Sequence, residues 1–166
     1  GKALGGAVVP VGCFTATAEV FEPFMENPYI HTTTFGGNPL ATSAVIAALH
    51  VTVAEDIPRQ AAEKGAWLKA RFEELRQRYP GLLHEVRGLG LLIGLEFCSE
   101  AAGYAVATGL FGEGVLTGGT LFSAKTFRIE PPATLTQAQM EEIVARLERV
   151  LARVDAQVKR GEIAAE

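Results

Sequence analysis

Along the second two-thirds of the chain, apolar and polar positions alternate with clear periods. Asp56-Ile57-Pro58 starts a stretch in which Leu68, Phe72, Leu75 and Tyr79 recur at helical spacing with charges between them. That spacing predicts an amphipathic helix to about Arg78, stopped by Tyr79-Pro80-Gly81. "LLHEVRGLGLLIGLEF" predicts two strands around a glycine pair. In the second of them, Leu91, Ile93, Leu95 and Phe97 alternate with Leu92, Gly94 and Glu96. Residues 99–116 predict another helix, "GGT" a turn, and "TFRIEPP" a short strand closed by prolines. Thr136 with Gln139 forms a capping box, opening a last helix with Met140, Ile143, Leu147, Val150, Val154 and Val158 inward. Helix, strands, helix, strand, helix is the order of an α+β body.

The front of the chain is patterned differently. "ALGGAVVPVGCFTAT" suits a glycine turn and a short strand, with Pro10 demoting part of it to an edge or bulge. "AEVFEPFMEN" predicts a short helix carrying Phe21 and Phe24, and "TTTFGGNP" a loop. Asn38 is then a good N-cap, and Pro39 suits the first turn because its missing N–H would be unpaired there. The helix that follows, "PLATSAVIAALHVTVAED", is apolar nearly all round and is expected to lie buried between two bodies of protein. Such a segment cannot close a core alone. It is expected to be the tail of a larger domain, residues 1–55, joined to a smaller domain, residues 56–166. In isolation it would expose strand edges and an apolar helix, so the piece is expected to fold poorly and aggregate.

Composition narrows the function. The 166 residues carry a net charge of −4, which argues against a nucleic-acid or polybasic membrane surface. The longest apolar run is too short to span a bilayer comfortably. The start lacks the pattern of a signal peptide, and Gly1 in place of methionine suggests a processed or partial chain. The two cysteines, Cys13 and Cys98, have no metal spacing. Both are expected to be buried small hydrophobes in a reducing cytosol, and a cytoplasmic location follows.

Several residues could carry chemistry. "GLGLLIG" is spaced one residue too long for a dinucleotide loop and precedes a strand, so a strand corner is the better reading. The three histidines, His31, His50 and His84, lie too far apart for a metal site, and none is expected. "TTTFGGNP" places three hydroxyls, two glycines and a helix N-terminus together, a combination that suits a phosphate dianion or merely a capped turn. Arg128, between Phe127 and Ile129, needs a carboxylate partner, either Glu130 or another internal acid, or a substrate. Lys2 could form an imine with a flat aldehyde cofactor, and Gly1, Gly5 and Gly6 would let backbone approach such a ring.

Taken in order, "KALGGAVVPVGCFTAT", "NPYIHTTTFGGNPLA", "VRGLGLLIGLEF" and "TFRIEPPATLT" resemble the C-terminal part of the class III (ornithine-type) pyridoxal-phosphate aminotransferases. The likeness runs to about residue 155, and within the family the wording is most similar to putrescine aminotransferases. The resemblance implies an α/β chain: the end of the large domain of a fold-type I pyridoxal 5'-phosphate transferase plus its small α+β domain. It implies that Lys2 forms the Schiff base and moves the proton, and that Thr34 reaches the cofactor phosphate of the neighbouring subunit across a homodimer interface. Arg128 is implied to grip a substrate carboxylate. The family's phosphate loop, ring-stacking aromatic and ring-pairing aspartate precede its lysine, so this chain is expected to be a fragment, inactive alone.

The implied reaction moves an amino group from a diamine such as putrescine, in polyamine catabolism, to a 2-oxo acid, expected to be 2-oxoglutarate. An ornithine, acetylornithine or 4-aminobutyrate transaminase is the alternative within the class. A non-catalytic α+β interaction module is the alternative outside it.

Overall fold

The computed structural model describes residues 1–165, which divide between Ile57 and Pro58 into two packing units. In the second unit, helix α3 (Ile57–Arg78) buries Gly65, Leu68, Phe72 and Leu75 along one face. Strands β1 (Leu83–Leu89) and β2 (Leu92–Phe97) follow as an antiparallel hairpin. Its two-residue turn begins at Gly90, whose φ of 54° is the positive value a tight hairpin turn needs. Helix α4 (Glu100–Gly112) is N-capped by Ser99, whose hydroxyl accepts from the Ala102 amide at 3.1 Å. It ends before the expected residue 116, at a turn with Gly114 at φ 77°.

Two short strands complete the sheet, β3 (Gly118–Gly119) and β4 (Thr126–Ile129). The strand order is β1-β2-β4-β3, and every pairing is antiparallel. The "GGT" stretch is thus an edge strand as well as a turn. Pairing with β4 decides this, and two glycines carry no local signal for it. Helix α5 (Gln137–Lys159) opens with the full Thr136–Gln139 capping box and buries Met140, Leu147, Val150, Leu151 and Val154. Ile143 and Val158 pack at the margin of the same core.

The core lies between the inner face of the sheet and the helices α3, α4 and α5, with Phe97 stacked on Phe127 at 5.1 Å between centroids. Burial along β2 alternates as the sequence requires, with Ile93, Leu95 and Phe97 inward. One contact could not be anticipated from the pattern. A Cβ on Gly65 would come within 2.0 Å of the Gly90 carbonyl oxygen, so α3 crosses the hairpin turn at backbone-to-backbone distance.

The first unit has a short 3-10 helix over Lys2–Gly5, then α1 (Ala18–Glu26), a single 3-10 turn at Pro28–Ile30, and α2 (Pro39–Ala54). The expected strand after Gly6 is absent among the described residues of this unit. A strand needs a ladder of hydrogen bonds from a neighbour, and the unit contains none to supply it. Helix α2 begins as expected: the Asn38 side chain accepts from the Ala41 amide at 2.9 Å, with Pro39 in the first turn. It is not buried, however. Leu40, Ile46 and Val53 are 73%, 68% and 79% exposed, because the short elements around the helix cover only part of its surface. Cys98 is buried, whereas Cys13 is exposed, contrary to expectation, in an irregular stretch with nothing packed over it. Among the described residues no single helix is long and apolar enough to cross a membrane.

Candidate active site

Lys2 opens the Lys2–Gly5 turn, and its side chain is exposed. Its φ is 54°, the left-handed region that non-glycine residues rarely occupy, at a cost of about 1–2 kcal/mol. Gly6 follows at φ 63° and donates its N–H to the Ala3 carbonyl at 2.9 Å. The three neighbouring glycines differ in role. Gly1 faces open space, but Gly5 is buried, and a Cβ there would meet Val11 Cγ1 at 2.8 Å. Gly5 therefore serves packing, and only Gly1 and Gly6 are left to give backbone access.

Thr34 starts the turn Thr34–Gly37, exposed along its length. The Gly36 amide closes the preceding bend onto the Thr33 carbonyl at 3.2 Å, and Gly37 takes a φ of 67°. Helix α2 follows directly, but its N-terminus is engaged by its own residues. Asn38 takes the Ala41 amide at 2.9 Å, and Pro39 has no N–H to offer. The amide cradle expected for a phosphate is thereby reduced, and the exposed hydroxyls of Thr32, Thr33 and Thr34 become the main donors. His31, just before them, packs edge-on against Phe14 at 5.1 Å and Phe24 at 6.0 Å. With Phe21 these rings form an aromatic cluster beside the turn.

Arg128 projects from β4 on the face opposite Phe127 and Ile129, which point into the core. The partner left open by the sequence is Glu130, two residues on and just past the end of β4. Arg128 Nη1 lies 3.1 Å from Glu130 Oε1, and Nη2 donates to the Gly119 carbonyl at 3.1 Å. The register sets glycines on both sides of Arg128, Gly94 in β2 and Gly118 in β3. Sequence reading passed over both. Their signal was a glycine directly across the ladder from a charged strand residue, which requires knowing the pairing.

A second arginine shares this row. Arg87 of β1 stands across from Gly94 and donates to Glu85 and Glu96, both at 2.6 Å. The hydrogen bond from Arg87 is the main cause that holds the Glu96 carboxyl below its ordinary value, with partial burial opposing it. Glu96 in turn raises Arg87. Arg87 is thus committed between two carboxylates, while Arg128 holds one carboxylate and one carbonyl. Lys2 and Thr34 belong to the first unit and Arg128 to the second. Among the described residues no group of three or more His, Cys, Asp or Glu side chains could hold a metal ion.

Comparison with known proteins supplies the family. The description "Aminotransferase class-III" matches residues 1–151. The chain belongs to the class-III aminotransferases. The match to this class-III aminotransferase chain spans Lys2, Thr34 and Arg128 together. The chain is similar to the ornithine aminotransferase of Toxoplasma gondii at 27% identity and a TM-score of 0.84, covering 95% of this chain and 37% of that one. That structure is described as having partial occupancy of PLP at its active site. The acetylornithine aminotransferase of Elizabethkingia anophelis is 28% identical with a TM-score of 0.81, over 92% of this chain and 39% of that one. The ornithine delta-aminotransferase of Plasmodium falciparum is 27% identical with a TM-score of 0.80, over 94% and 40%. This class-III chain therefore spans about two-fifths of the length of those relatives.

Proposed function

We propose that the complete protein is a pyridoxal 5'-phosphate-dependent aminotransferase that moves an amino group from an aliphatic diamine to a 2-oxo acid, 2-oxoglutarate by expectation. The observation that carries this reading is family membership over 1–151, a stretch that includes all three candidate residues. The donor set suits the cofactor: an exposed primary amine at Lys2 for its aldehyde carbon, and exposed threonine hydroxyls at 32–34 for its phosphate oxygens. When bound, pyridoxal phosphate supplies that aldehyde and a ring that draws electrons from the carbon bearing the nitrogen.

Lys2 Nζ would hold the aldehyde carbon of the cofactor at rest and, once free, would take the proton from the amine-bearing carbon. Thr34 orients the phosphate end, contributed to the neighbouring subunit of a homodimer. Arg128 receives the 2-oxo-acid carboxylate through two parallel N–H bonds. A diamine has no carboxylate, so Arg128 acts chiefly in the acceptor half of the reaction.

A second reading has its own support. The similar solved structures include ornithine and acetylornithine aminotransferases, whose names point to donors that carry a carboxylate. Steady-state rates of the complete enzyme with putrescine, ornithine, acetylornithine and 4-aminobutyrate, each against 2-oxoglutarate, separate the two. Highest kcat/KM with putrescine is expected; a clear preference for ornithine or acetylornithine would replace the diamine assignment. Absence of transamination with every donor would favour an interaction module.

A further inference from the structure

Helices α4 and α5 line a cleft with two polar side chains each, one helical turn apart: Tyr104 and Thr108 from α4, Arg153 and Gln157 from α5. The cleft holds about 520 Å3, a volume typical of small-molecule sites, and Ala105, Val154 and Ile163 supply its apolar wall. Ile163 arrives there because the chain reverses after α5. Gly161 takes a φ of 73°, its amide donates to the Val158 carbonyl at 2.9 Å, and the Glu162 amide donates to the Gln157 carbonyl at 3.0 Å. The Ser99 hydroxyl then fastens the returning segment by donating to the Ala164 carbonyl. Gly109 lets the two helices meet closely. A Cβ there would lie 2.7 Å from Val150 Cγ1 and 2.9 Å from Arg153 Nη2, so the Arg153 guanidinium rests against the backbone of α4.

Arg153 is the uncommitted cation of this face. Arg149 holds the Glu113 carboxylate at 2.8 Å, and Arg146 donates to Glu142 and to the Glu113 carbonyl. Arg153 Nη1 is 3.9 Å from Glu113 Oε1, too far for a hydrogen bond. Among the described residues, the side chains of Arg153, Tyr104, Thr108 and Gln157 make no hydrogen bond. Glu113 also lines the cleft, but with Glu142 it faces three arginines, which leaves one positive charge. The last carbonyls of α4, which would oppose an anion, are taken by the amides of Glu113, Gly114 and Val115.

We propose that the α4–α5 cleft binds a small phosphate monoester, with Arg153 as its anchor. A terminal phosphate brings nearly two negative charges and three acceptor oxygens. The guanidinium fork meets two of those oxygens in parallel, and the Tyr104 and Thr108 hydroxyls and the Gln157 amide are the further donors. A carboxylate has only two oxygens and would leave part of this donor set unmet. The organic group of the ester lies against the wall beside Ile163. Arg153, Gln157 and Ile163 fall beyond the residues 1–151 that match the class-III family, and none of Lys2, Thr34 and Arg128 lines the cleft.

The test is calorimetry on the complete protein with its cofactor bound, using phenyl phosphate as the probe and benzoate as the carboxylate counterpart. Phenyl phosphate should bind wild type, and Arg153→Ala should weaken it roughly tenfold. Tyr104→Phe, which removes only a hydroxyl, should weaken it roughly two- to tenfold. Arg128→Ala should leave the affinity unchanged. No binding to wild type, or equal affinity in Arg153→Ala, would overturn the site. Loss of binding in Arg128→Ala would place the probe at the candidate active site instead. Full affinity in Tyr104→Phe with loss in Arg153→Ala would reduce the interaction to charge attraction and overturn a built site. Benzoate bound as tightly as phenyl phosphate would overturn the choice of phosphate.

Discussion

Lys2 combines an exposed amine with a backbone conformation that costs energy. In the complete protein, Lys2→Ala should abolish both turnover and the near-visible absorbance of the lysine-bound cofactor. Retention of either would exclude Lys2 as the imine-forming residue. In the proposed reaction Arg128 would bind the acceptor and would not touch the reacting carbon. A hydrogen bond to a charged group contributes about 1.5–3 kcal/mol, so Arg128→Ala should raise the 2-oxoglutarate KM roughly 10- to 100-fold. The putrescine KM should move far less, and equal rises in both would contradict the assignment.

At the level of elements, the second unit depends on a few close contacts as much as on its apolar stripes. Gly65→Ala places a methyl 2.0 Å from the Gly90 carbonyl oxygen, so α3 or the β1–β2 turn must shift. The expected loss is about 1–3 kcal/mol, seen as a lower melting temperature and urea midpoint. Gly81→Ala is the control, because a Cβ there meets nothing within 4 Å. A variant at Gly65 as stable as that at Gly81 would mean that α3 does not pack this tightly on the turn. The capping box of α5 is a separate contribution: Thr136→Ala should cost about 1 kcal/mol, without altering the core beneath it.

Over the whole molecule, the charges that join α4 to α5 give stability a definite pH dependence. Glu113, at the end of α4, lies 2.8 Å from Arg149 and also receives Arg146 on its backbone carbonyl. The hydrogen bond from Arg149 is the main cause that lowers the Glu113 carboxyl below its ordinary value; partial burial opposes it, and the charges of Arg149, Arg153 and Arg146 add to it. A folded-state value below the unfolded one means the stabilisation is complete above the ordinary carboxylate range. It is lost as pH falls through the folded value. Glu113→Gln should therefore be less stable than wild type at pH 7, with the difference vanishing once Glu113 is protonated in both states. Urea melts from pH 7 to pH 3 measure this, and a constant difference would rule the linkage out. The uneven covering of the chain has its own signature. Residues 58–166 alone should melt cooperatively, while the 166-residue chain should bind more hydrophobic dye and self-associate through α2. Equal dye binding by both would show that α2 is covered.

What the sequence determined by itself was local in origin. The 3.6-residue stripe of α3, the alternation of β2, the Asn38-Pro39 start of α2 and the Thr136–Gln139 box each follow from neighbours within a few positions. Motif order along the chain likewise pointed to the class-III family, because a row of motifs is preserved without knowledge of contacts. Tertiary structure decided what depends on partners distant in sequence. The stretch after Gly6 forms no strand because no ladder is offered to it, while two bare glycines at 118–119 do, because β4 offers one. The same pairing sets Gly94 and Gly118 across from Arg128 and so leaves room for the ion pair with Glu130. Register is a property of two strands together, and no single stretch of sequence contains it.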